Sequence, residues 1–112
     1  MEVKEQEKFL EIKKEVIKII RNKEEKLEIN NIKLEVIEDK ENSYIIYFES
    51  DKVFAQLIIT TPGFAPYYYA CFNILWLDDD DNKAYWWLDE ENSTILDITE
   101  NIDKSLDYFV SC

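Results

Sequence analysis

The chain of 112 residues contains no histidine and a single glycine. Without histidine it lacks the commonest general base, the side chain that titrates near neutral pH and the most frequent zinc ligand. Nucleophile triads that depend on an imidazole are excluded with it. One glycine, Gly63, is too few for the glycine-rich loops that cradle phosphates. Both prolines, Pro62 and Pro66, lie beside that glycine, so Pro62-Gly63-Phe64-Ala65-Pro66 is the sharpest break in the chain. The two cysteines stand at Cys71, inside an apolar segment, and at Cys112, the last residue given, and read as two free thiols. Long apolar runs are also missing. The longest, residues 67–77, spans eleven positions and includes Asn73, against the roughly 20 needed for a membrane-spanning helix. The opening Met1-Glu2-Val3-Lys4-Glu5 has no apolar core of a secretory signal, so a cytoplasmic location is expected.

Basic residues are scarce in one half only. Residues 1–60 carry 14 acidic and 11 basic side chains, whereas residues 61–112 carry 11 acidic side chains against Lys83 and Lys104, which leaves −3 and −9 of the total charge of −12. Such a field repels phosphate backbones and favours a cationic partner. Direct nucleic-acid binding is therefore not expected. At 46% hydrophobic and 14% aromatic residues the chain is too apolar to be disordered in spite of its charge, and its length suits one domain, residues 1–112.

The hydrophobic period divides the chain into elements. From Lys4 to Lys26, Phe9, Ile12, Val16, Ile19 and Ile20 recur at helical spacing, widened by Leu10 and Ile17. Near Asn31 the period changes to two, with Ile32, Leu34 and Val36 alternating with Lys33 and Glu35. Further strands are predicted over Tyr44 to Glu49, Val53 to Thr61, Tyr67 to Leu77 and Lys83 to Leu88, separated by polar or proline-rich turns. A short extended segment, Thr94 to Leu96, precedes a second helix with Asp97 as N-cap and Glu100 completing a capping box. The predicted fold is α+β: an antiparallel β-meander of four to five strands flanked by an N-terminal and a C-terminal helix on one face, which leaves the other face partly open.

Three constellations invite a functional reading. Asp78-Asp79-Asp80-Asp81-Asn82 offers clustered oxygen ligands, yet the EF-hand register fails: with Asp78 at position 1, Lys83 falls where glycine is required and Asp89 where a bidentate Glu is needed. No metal and no cofactor is expected, and the run reads either as a solvated turn or as an acidic recognition loop. A pair of carboxylates for glycoside hydrolysis needs only two acids at a set separation, but the acids fall on predicted turns and helix faces, and no enzyme activity is expected. The aromatic cluster is the third. Phe64, Tyr67, Tyr68, Tyr69, Phe72, Trp76, Tyr85, Trp86 and Trp87 are nine of the chain's 16 aromatics. If Tyr68, Phe72 and Trp76 meet the helices, Tyr67 and Tyr69 point to the open face, with Tyr85 and Trp87 on that same face. Tyr67, Tyr69, Tyr85 and Trp87 are then expected as partner-binding anchors, with Asp78, Asp79, Asp80, Asp81, Asp89 and Glu90 as an acidic rim that steers a basic protein.

In the runs FAPYYYACFNIL (residues 64–75) and WLDDDDNKAYWWL (residues 76–88) the chain resembles bacterial immunity proteins, the broad class that neutralises toxin domains. The resemblance implies an acidic inhibitor that occludes a toxin's active site or an adjacent surface. Two other functions use the same features: a phage-encoded inhibitor that mimics the charge of DNA to occupy a host nucleic-acid-binding protein, and a homodimer or larger homo-oligomer joined through the open aromatic face. The Lys-, Glu-, Ile- and Asn-rich composition looks like that of an AT-rich bacterial or phage genome.

Overall fold

The computed structural model describes residues 3–63, 66–77 and 84–111. The elements are α1 (Val3–Ile29), β1 (Lys33–Lys40), β2 (Ser43–Glu49), β3 (Val53–Thr60), β4 (Ala70–Trp76), β5 (Ala84–Leu88) and α2 (Ile95–Val110). The strands form one antiparallel sheet in the order β1-β2-β3-β4-β5, so each pairs with its neighbour in sequence. Both helices lie on one face. The α+β meander expected from the period is the observed fold, with five strands.

The core sits between that face and the helices. α1 contributes Phe9, Ile12, Val16, Ile20 and Leu27, and α2 contributes Ile98, Ile102, Leu106 and Phe109. They pack on Ile46 and Phe48 of β2, Leu57 and Ile59 of β3, and Phe72 and Ile74 of β4. Each such side chain contributes roughly 1.5–3 kcal/mol on burial, and the aromatic contacts of Phe48 with Phe72 and Phe109, at 6.4 and 6.1 Å between ring centres, tie the sheet to α2.

The helices run the same way. Near their starts, the Lys8 ammonium donates to the Ser93 carbonyl at 2.8 Å; near their ends, Lys23 of α1 bridges Asp103 and Asp107 of α2, each at 2.7 Å. Lys23 is 7% exposed. Burial alone would lower its pKa, but the hydrogen bonds and charges of the two aspartates outweigh that and hold it above its ordinary value.

Element ends differ from the sequence reading for local reasons. α1 continues to Ile29 because Asn31, at φ 56°, supplies the left-handed residue that closes a Schellman motif, with Ile32 N–H donating to Leu27 C=O at 2.9 Å and Asn31 N–H to Glu28 C=O at 3.0 Å. α2 starts at Ile95, with no strand before it. Thr94, and not Asp97, is the N-cap: its hydroxyl accepts from Asp97 N–H at 3.1 Å while the Asp97 carboxylate accepts from Thr94 N–H at 3.2 Å. The reciprocal box therefore closes one turn earlier than Asp97 and Glu100 would place it.

β4 begins at Ala70 and not at Tyr67. Tyr68 N–H and Ala70 N–H donate to one oxygen of Asp89 at 2.8 and 3.2 Å, and Tyr69 N–H donates to the other at 2.8 Å. Three successive amides that converge on a carboxylate bend the chain, so the strand alternation does not extend through residues 67–69.

Candidate functional site: the uncovered face of the sheet

Directly opposed residues in an antiparallel pair share a face. Phe72 opposes Trp87 and Ile74 opposes Tyr85, which puts both β5 aromatics on the helix face with the core. The expected placement of Tyr85 and Trp87 on the open face is thus corrected. The Tyr85 hydroxyl lies 3.1 Å from Ser105 Oγ of α2, and its ring centre is 5.1 Å from that of Tyr108. Trp87 is half-buried against the core. Tyr69 is corrected too: it is 9% exposed and belongs to the core, with the Lys8 ammonium 4.6 Å from its ring centre.

Asp89 is the largest departure from the rim expectation. It is 4% exposed, and its two oxygens are occupied by the three amides that lead into β4. The three N–H groups satisfy both of its oxygens within the fold. Its role here is to pin the entry of β4 to the end of β5, and its oxygens are not available to a partner. Glu90 is exposed, and its backbone N–H donates to Ser93 Oγ at 2.9 Å within the turn before α2. Tyr67 is half-buried and lines a hollow on the open face with Ile45, Ile58, Ser43 and Thr60. Asp78, Asp79, Asp80 and Asp81 lie outside the described residues.

The open face carries an apolar row that the sequence reading passed over. Asn73 opposes Trp86, Leu75 opposes Phe54 on one side and Ala84 on the other, and Glu49 also opposes Phe54. Tyr47 stacks edge-on against Phe54 at 5.0 Å. Tyr47, Phe54, Leu75 and Trp86 therefore cross the sheet from β2 to β5 at one end. Exposure rises along the row: Tyr47 and Phe54 are half-buried, Leu75 is 46% exposed and Trp86 63%. Leu77, also exposed, adds to the β4 end. Neither helix reaches this side.

Cys71 shares the open side with Asn73 but is buried. Burial pushes its thiol pKa up, a hydrogen bond with Asn73 opposes the shift, and the Asp89 charge adds to it. It stays protonated and is a poor nucleophile. Among the described residues no group of three His, Cys, Asp or Glu side chains is placed to hold a metal ion, and no helix is long and apolar enough to cross a membrane.

No family model, no curated protein and no solved structure matches the chain.

Asn73 was the available clue to the row. It is the one polar residue within β4, so its side of the strand faces water, and whatever opposes it in β5 faces water as well. β5 itself gives no contrast, because Ala84, Trp86 and Leu88 are as apolar as Tyr85 and Trp87.

Proposed function

We propose that this protein is a small acidic binding protein that neutralises a basic partner, acting in the cytoplasm as an immunity protein that occludes a bacterial toxin domain. The observation that carries the reading is Trp86: a tryptophan 63% exposed on the uncovered face of the sheet, in the half of the chain that holds −9 of the charge. Tryptophan is among the side chains most often dominant in protein interfaces, where truncating one costs about 2 kcal/mol or more. Leu75 and Leu77 on the same side of β4 supply apolar area, and the −9 charge of residues 61–112 favours a cationic partner, with association rates up to about 10⁸–10⁹ M⁻¹s⁻¹ at low salt.

The contact set in this reading is Trp86, Leu75 and Leu77 with the acidic run of Asp78, Asp79, Asp80 and Asp81. Tyr67, grouped with Ser43 and Thr60, and Glu90, just past Leu88, lie toward the opposite end of the sheet and stand outside that set. The protein acts by binding, with no catalytic step, in keeping with a chain that has no histidine.

Capture from native lysate on the tagged protein tests this. The wild type is expected to retain a basic protein that Trp86→Ser loses. A variant with Asn at all four of Asp78, Asp79, Asp80 and Asp81 should retain less of it, with the larger deficit at low salt. Retention that ignores both variants, or no basic protein retained, would contradict the reading.

A further inference from the structure

The two edges of the sheet differ. β5 is five residues long, whereas β1 has eight, all exposed except Glu38. Leu34 and Val36, 39% and 47% exposed, oppose Phe48 and Ile46 and so project on the helix side. α1 does not cover them. Instead Leu34 forms a groove with Ile32 and with Glu24, Leu27 and Glu28 of α1. Natural sheets blunt such edges with bulges and charges, and here the second half of β1 is blunted: the register shifts between Val36 and Glu38, and Glu38, Asp39 and Lys40 follow. The first half, Lys33–Val36, is regular and has no bulge. On its other side Lys33 and Glu35 are exposed, and neither is in an ion pair among the described residues.

We propose that β1 pairs antiparallel with β1 of a second copy of this chain about a two-fold axis at Leu34, joining two five-stranded sheets into one. The sequence Lys33-Leu34-Glu35 is complementary to itself in that register. Lys33 of each copy stands opposite Glu35 of the other, Leu34 opposite Leu34, and Ile32 opposite Val36, and every pair lies on a single face of the joined sheet. Val36 of each copy then lies over the other's groove of Leu27, Ile32 and Leu34. This register pairs residues 32–36 only, so the irregular half of β1 that follows Val36 lies outside it.

The charge distribution selects a second copy over other arrangements of the same chain. Residues 61–112 supply β4 and β5 and carry −9, while residues 1–60 carry −3. Because β1 is the edge farthest from β5, pairing through β1 sends the two acidic halves to opposite ends of the joined sheet. Association through β5 or the open face would bring them together. The pairing also leaves Trp86 free in both copies.

Sedimentation velocity over a concentration series, from low micromolar to near millimolar, tests the proposal. The wild type is expected to pass from monomer to dimer. Lys33→Glu and Glu35→Lys each replace two attractive cross-strand pairs by like charges and should raise the dissociation constant about tenfold or more. The double variant Lys33→Glu/Glu35→Lys should return it to near the wild-type value, as a coupled pair does. Mixing the two single variants should give a heterodimer in which both pairs are attractive, a result that does not depend on the double variant folding. Far-UV circular dichroism of each single variant checks that the monomer is intact. A wild type that stays monomeric throughout overturns the proposal. So does a dimer indifferent to the single reversals, a dimer that neither the double variant nor the mixture restores, or one lost with Trp86→Ser in place of the β1 variants.

Discussion

Trp86 and Trp87 are adjacent tryptophans in β5, and the sheet gives them opposite surroundings. Trp87 faces Phe72 and the core beneath the helices, while Trp86 faces Asn73 and solvent. Under the helices, large apolar side chains from α1, α2 and the sheet meet; on the other side a row of four apolar residues grows more exposed toward β5. An apolar residue in a strand thus carries no information about whether it builds the core or awaits a partner. Which of the two it does depends on the cross-strand register, and a shift of one residue exchanges the faces.

The largest test of that division removes the residue that ends β5 and sets the entry of β4. Asp89→Ala leaves the N–H groups of Tyr68, Tyr69 and Ala70 without their acceptor in a buried site, and is expected to cost about 2–4 kcal/mol, measured by urea denaturation. A change within about 0.5 kcal/mol, the ordinary range of a surface substitution, would mean that the carboxylate does not hold the bend.

Next comes the tryptophan pair itself. Trp87→Ala should lower stability by about 2–3 kcal/mol, less than the 3–5 typical of a fully buried aromatic because Trp87 is only half-buried. Trp86→Ala should change it by less than about 0.5 kcal/mol. Equal losses in the two variants would show that the faces are not divided as described.

The smallest effect is expected at alkaline pH. Burial raises the pKa values of Tyr44 and Cys71, with the Asp39 charge adding to the first; for Lys23 the two aspartates overcome burial and raise it as well. Their ordinary values are 10.0, 9.0 and 10.5. In each case the folded protein binds the proton more tightly than the unfolded chain. The contribution to stability is therefore complete below the unfolded value and is lost as pH rises through the folded one. Stability should decline from about pH 9 upward. Replacing Cys71 with Ser should remove the earliest part of that decline, read as the unfolding midpoint across pH 8 to about 11. A flat profile would contradict the common direction of the three shifts.

Much of the fold was legible because its signals are local. The helical period of Phe9, Ile12, Val16 and Ile20 and the two-residue period of β1 and β3 depend only on near neighbours, and short turns between consecutive strands lead to an antiparallel meander. Locality also explains the misplaced ends: Thr94 and Asp97 both belong to the N-cap preference set, and the choice between them rests on which reciprocal pair closes.

The candidate site was less legible. Tyr67, Tyr69, Tyr85 and Trp87 were selected by alternation carried through residues 67–69 and by an assumed register between β4 and β5. Asp89, twenty residues along the chain from Tyr69, breaks the first assumption, and the pairing of Phe72 with Trp87 breaks the second. Neither relation is written in a short window of sequence.

By itself, then, the sequence determined the class of elements, their order, the acidic pole and the absence of an imidazole, because period, charge and composition act through neighbours or through simple sums. Tertiary structure alone decided that Trp86 faces outward, that Asp89 is a buried tether and that β1 is an uncovered edge. Sidedness and burial arise from contacts between residues far apart in the chain, and such contacts exist only once the helices have settled on one face of the sheet.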